Sequence, residues 1–117
     1  MIREWSEILD QYESYGEKDP AIDGVRNLVA YIVGGKLSTV LYAWTSMFDL
    51  CIVQTEIQYP YNGPCLRISP LSGGIIEFRY IDTAIASRQW HREVMPEEAI
   101  SRLHGFLSQL HWVTTLA

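Results

Sequence analysis

Apolar residues recur at helical spacing near the start of the chain. Ile2, Trp5, Ile8, Leu9 and Tyr12 share one side, with acids on the other, which predicts an amphipathic helix over residues 2–15. Residues 16–20, Gly-Glu-Lys-Asp-Pro, interrupt it. Asp19 followed by Pro20 is an N-cap and first-turn pair for a second helix. Ile22, Val25, Leu28, Val29 and Ile32 keep the helical spacing, and Gly34-Gly35 supplies a stop. The same stretch also reads as a strand, since residues 28–33 are apolar and β-prone and Gly34-Gly35 would turn them into a hairpin. The pattern leaves residues 21–33 open between helix and strand, with the two caps favouring the helix.

From residue 37 the period changes to two. Residues 37–44, 50–58, 65–69, Ile75–Ile81 and 87–94 each alternate or run apolar, with Tyr59-Pro60-Tyr61-Asn62-Gly63-Pro64 and Ser72-Gly73-Gly74 as breaks. Pro96 opens a last helix, striped by Ala99, Ile100, Leu103, Phe106, Leu107 and Leu110, with Glu97 and Glu98 at its positive end. Trp112-Val113 follows as an anchoring tail. Helix or helices, a run of about five antiparallel strands, then a helix define an α+β fold with one sheet face covered. Residues 1–117 form a single domain in this reading.

Charge sharpens the picture. Residues 1–23 hold seven acids (Glu4, Glu7, Asp10, Glu13, Glu17, Asp19, Asp23) against Arg3 and Lys18. Residues 24–117 hold seven acids and seven bases, so the formal net charge of -5 is entirely N-terminal. A nucleic-acid partner is not expected without a basic face. An acidic helix face suits a basic protein partner, which it would steer toward itself. Tyr59 and Tyr61, amphipathic aromatics in a Pro/Gly loop, are the matching interface candidates. Residues 1–7 lack the basic, apolar and small-residue sequence of a secretory leader, and no apolar run approaches the ~18 residues of a bilayer span. A cytoplasmic protein without a membrane partner is the expectation.

Catalytic chemistry finds little purchase. Cys51 and Cys65 stand alone in strand-like runs, outside any paired-cysteine or Cys/His cluster. They read as two reduced core thiols, with a cross-strand disulfide as the alternative. His104 and His111 are seven apart, not the three or four of a zinc helix, and no metal or cofactor is expected. Glu77 and Asp82 are the best-placed carboxylates for acid–base work, but Glu77 and Arg79 share a strand side, and a cross-strand ion pair is the commoner explanation.

One resemblance bears on function. The stretch from Cys65-Leu66-Arg67-Ile68 through residues 74–80 (Gly-Ile-Ile-Glu-Phe-Arg-Tyr), Trp90-His91-Arg92-Glu93-Val94, Pro96-Glu97-Glu98-Ala99 and Phe106-Leu107 to Trp112 resembles small bacterial immunity proteins that neutralise polymorphic toxins. The likeness covers about half the chain, and no individual residue's role carries over from it. It implies a non-enzymatic protein that inhibits by binding, with an acidic face covering a basic toxin active site. Two other readings stand beside it: a dimeric chaperone for a secreted substrate, and a small-ligand-binding or enzymatic α+β domain. Monomer and homodimer are both open.

Overall fold

A computed structural model describes residues 2–16, 19–55, 64–82 and 84–112. Two helices, α1 (Trp5–Ser14) and α2 (Pro20–Val33), precede five strands and a third helix, α3 (Ala99–Gln109), follows them. The strands are β1 (Tyr42–Ser46), β2 (Asp49–Val53), β3 (Cys65–Leu71), β4 (Ile75–Ile81) and β5 (Trp90–Val94). They form one sheet in chain order, each antiparallel to the next. The expected α+β architecture is present. The core lies between the sheet and the helices: Leu50, Ile52, Leu66, Ile68, Ile76 and Phe78 meet Ile8, Tyr12, Val25, Leu28, Ile32, Leu103 and Phe106.

Residues 21–33 are helix. Asp19 accepts a hydrogen bond from the Ile22 amide at 2.9 Å, and Pro20 occupies the first turn, where its missing N–H is no loss. Ala21, Val25, Leu28, Val29 and Ile32 are all fully buried on one stripe. The β propensity of residues 28–33 yields to that stripe, because packing against a sheet outweighs tenths of a kcal/mol of intrinsic preference. The stripe also contains Gly24, which the sequence pattern did not single out. A Cβ there would stand 2.7 Å from Ile76 Cδ1 and 2.8 Å from Pro96 Cβ. Only the absence of a side chain lets α2 lie this close to β4 and to the turn before α3.

Several boundaries differ from the pattern, each for a local reason. The first helix begins at Trp5, not at residue 2, because the Arg3 amide donates to Ala43 O at 2.9 Å and holds this segment extended beside β1. The strand expected over 37–44 begins only at Tyr42, and Lys36–Thr39 is a 3-10 turn instead. Ser38 and Thr39 donate to the carbonyls of Gly35 and Lys36, at 3.0 and 2.7 Å, and so favour a turn over a ladder. Leu37 and Leu41 still reach the core, four residues apart, as a helical turn allows. β2 ends at Val53, short of the expected residue 58, and its last three expected positions lie outside the described residues. β3 runs two residues further than expected, to Leu71.

The fifth strand begins at Trp90 rather than residue 87. The buried Asp82 explains this: its Oδ1 accepts from the Ala84 and Ile85 amides at 3.1 and 3.0 Å, and Gln89 Oε1 accepts from its own amide at 3.1 Å. The last of these bonds runs from the Asp82 amide to Gln89 Oε1, and the knot leaves Ala86–Arg88 as a short 3-10 turn. Pro96–Glu98 is likewise a 3-10 turn leading into α3.

Gly24→Ala is expected to destabilise the domain by about 1–3 kcal/mol through overpacking. Urea denaturation measures it, and adding Ile76→Val, which removes the nearest atom, should return part of the loss.

Candidate functional site

The acidic residues sit on a helix whose rotation is fixed from inside. Trp5, Ile8 and Tyr12 are buried. Trp5 Nε1 donates to Leu41 O at 2.9 Å and Tyr12 Oη donates to Phe48 O at 2.7 Å. These two bonds, two helical turns apart, set which way α1 faces. Glu4, Glu7, Asp10 and Glu13 are exposed as a result, and none has an ion-pair partner among the described residues. Arg3, the nearest base, turns away from them: its Nη1 donates to Gln11 Oε1 and, at 2.7 Å, to Thr45 Oγ1.

The remaining candidates separate from this band. Asp19 is engaged as the α2 cap. Asp23 is half-buried and pairs with Arg26 at 3.2 Å. Glu17, Tyr59 and Tyr61 lie outside the described residues. Glu13 borders an open groove between α1 and α2, about 330 Å3, which it lines with Leu9, Arg26, Asn27 and Ala30. Among the described residues, the acids free of a cap or an ion pair are therefore Glu4 and those on the outer side of α1.

The sheet face away from the helices carries a second constellation. The strand registers place Trp44, Cys51, Arg67, Arg79 and His91 in one row across all five strands. Arg67 and Arg79 stand directly opposite each other, an arrangement that repels unless compensated. Asp49 compensates it from β2. Its Oδ2 accepts from Arg67 Nε at 2.7 Å and lies 3.8 Å from Arg79 Nη2. Glu77 Oε1 lies 3.2 Å from Arg79 Nε within the same strand rather than across strands, and Glu77 Oε2 lies 3.7 Å from His91 Nδ1 on the neighbouring strand. Ser69 Oγ accepts from Arg79 Nη2 at 3.3 Å. Sequence reasoning missed Asp49 and Arg67 because only the register brings them together. Partly exposed pairs of this kind add little stability.

Reactive groups are quiet. Glu77 faces away from the helices while the buried Asp82 caps an exposed turn, so these carboxylates do not act as a pair. Cys51 and Cys65 are free, buried thiols on the same sheet face as Arg67, outside the helix-covered core. Burial pushes the Cys51 thiol up to about 12 and raises that of Cys65. Both stay protonated near neutrality, where a nucleophilic cysteine needs its thiolate. His104 Nε2 is 2.5 Å from Tyr31 Oη, and His111, with φ 60°, falls beyond the end of α3. The two histidines therefore do not share a helix face. Among the described residues no three metal-ligating side chains cluster, and no helix is long and apolar enough to cross a membrane.

The fold and this site define an α+β protein with a five-stranded meander, helices on one face and a band of uncompensated acids on the first helix. Neither a family model, nor a curated protein, nor a solved structure matches the chain.

The raised thiols make stability depend on alkaline pH. The folded state keeps protons that the unfolded chain releases, so this contribution is complete below the ordinary thiol value of 9.0 and is lost as pH rises toward about 12. Tyr12, held protonated mainly by burial, acts in the same direction. The melting temperature is expected to fall as pH is raised above about 9, with a shallower fall in Cys51→Ala.

Proposed function

We propose that the protein works by binding another protein, as an immunity protein or inhibitor that neutralises a toxin by covering a basic surface with the outer face of α1. One observation carries this reading. Glu4, Glu7, Asp10 and Glu13 stay exposed, and without an ion pair among the described residues, at the start and along a helix whose orientation is locked by Trp5 and Tyr12. Acids serving only solubility need no fixed direction. Here the direction is built into the core.

The chemistry follows from the charge. Residues 24–117 sum to zero, so the negative field of the molecule originates at its N-terminal helices. Such a field accelerates encounter with a basic partner and orients it, and complementary charge then suppresses wrong partners. Inhibition by this route requires no reacting group. It requires only that the partner's basic active site be occupied.

The test is recovery of a 1:1 complex from the native host at low salt. The complex is expected to weaken steeply as salt rises. Glu7→Lys with Asp10→Lys should lower affinity at least about tenfold while leaving the melting temperature unchanged. Recovery of no partner at low salt would overturn the proposal.

A further inference from the structure

We infer that the tip of the β1–β2 hairpin, Met47 and Phe48, is the apolar anchor of this surface, entering a pocket on a basic protein partner while the acids of α1 meet the charged rim around it. The inference rests on the binding function proposed above and adds the residues that would anchor the complex.

The backbone is the first observation. Ser46 and Asp49 are the last paired residues of the hairpin, so Met47 and Phe48 alone make the turn. Of the two, only Met47 has a positive φ, 56°. A two-residue turn with this property at its first central position ordinarily takes glycine there. A long side chain in that conformation is strained, and such strain persists where the side chain is needed.

Packing within the chain does not offset the strain. Met47 is 84% exposed and Phe48 45%. Yet the turn is held firmly. Tyr12 Oη donates to Phe48 O at 2.7 Å, Gln11 Nε2 reaches Met47 O at 3.5 Å, and the Tyr15 ring lies edge-on to Phe48 with centroids 5.1 Å apart. A turn strained at Met47, with its carbonyls and the Phe48 ring held and two large apolar side chains exposed, is the arrangement of a pre-organised binding anchor. Methionine, unbranched and polarisable, adapts to pockets well.

The neighbourhood specifies the partner. The residues that hold the tip, Gln11 and Tyr15, continue the line of Glu7 along α1 at four-residue steps. Glu7, one helical turn before Gln11, thus brings the acidic side of α1 near the apolar tip, with the Arg3 guanidinium bonded to Gln11 and Thr45 between them. The fitting occupant is a protein with an apolar pocket flanked by Lys or Arg.

The experiment uses the full chain immobilised at low salt, with soluble extract of the native host as the probe and a photo-crosslinking residue at position 47 to report contact. Met47→Gly is expected to melt no lower than the parent, because relief of the turn offsets the freer unfolded chain. It should hold the retained protein at least about tenfold more weakly, whereas Met47→Leu should hold it like the parent. A melting temperature several degrees lower in Met47→Gly would overturn the inference by showing that Met47 packs structurally. So would undiminished binding by that variant. If Glu7→Lys with Asp10→Lys releases the partner and Met47→Gly does not, the acidic-face reading stands and the anchor falls. If nothing is retained, both fall. If light scattering shows a dimer that Met47→Gly dissolves, the occupant is a second copy and the basic partner is ruled out.

Discussion

The close approach of α2 to the sheet at Gly24 governs the arrangement of the other elements. Ile76 and Pro96 touch the helix where a side chain would otherwise hold them off. Brought down to that distance, α2 covers β3 and β4 and gives α1 and α3 a common wall to pack against. The apolar stripes of the flanking helices then close over the remainder of one sheet face. Phe106 of α3 meets Phe78 and Trp90 at ring-centroid distances of 5.0 and 4.9 Å. On the other side, Trp5 and Tyr12 insert their rings and use their polar ends to find carbonyls of the β1 region, as buried aromatics with a polar handle generally do.

Most of this architecture is legible in the residue pattern, because period and caps report burial directly. Asp19-Pro20 marks the start of α2, and the alternation of residues 75–81 marks β4 without error. The misses have a common cause. At Arg3, Ser38, Thr39 and Asp82, a polar group makes a specific hydrogen bond that moves an element's end by a few residues. Periodicity carries no information about such bonds. Gly24 was invisible for a related reason: a glycine inside a helical stripe looks like a weakness until the surface opposite it is known. The candidate site was half legible. The acids of α1 are where their spacing places them, but only the structure separates Asp19 and Asp23, which are engaged in capping and pairing, from the four that are not. Met47 carries no sequence mark at all, since nothing in its neighbours announces a turn of that hand.

The two charged surfaces differ in kind. On the sheet face away from the helices, acids and bases interlock through Asp49 and Glu77, and the field they produce is short-ranged. On α1 the acids form no ion pair among the described residues, so their field extends into solvent to about a Debye length. A partner sensing the molecule from a distance therefore senses α1 first. The sheet face becomes relevant only on contact.

The margins of the sheet limit how any partner can attach. Along β1, the Arg3 main chain already pairs with Ala43, and its guanidinium reaches Thr45. Along β5, His91, Arg92 and Glu93 place ionisable side chains at three consecutive positions. Unpaired strand margins invite another chain to extend the ladder, and charge on a margin opposes it. Recognition by strand addition, which reads main chain and tolerates varied sequence, is thus disfavoured at both ends. For the proposed partner, what remains is recognition through side chains, which would tie its choice to particular residues and leave the backbone out of the contact.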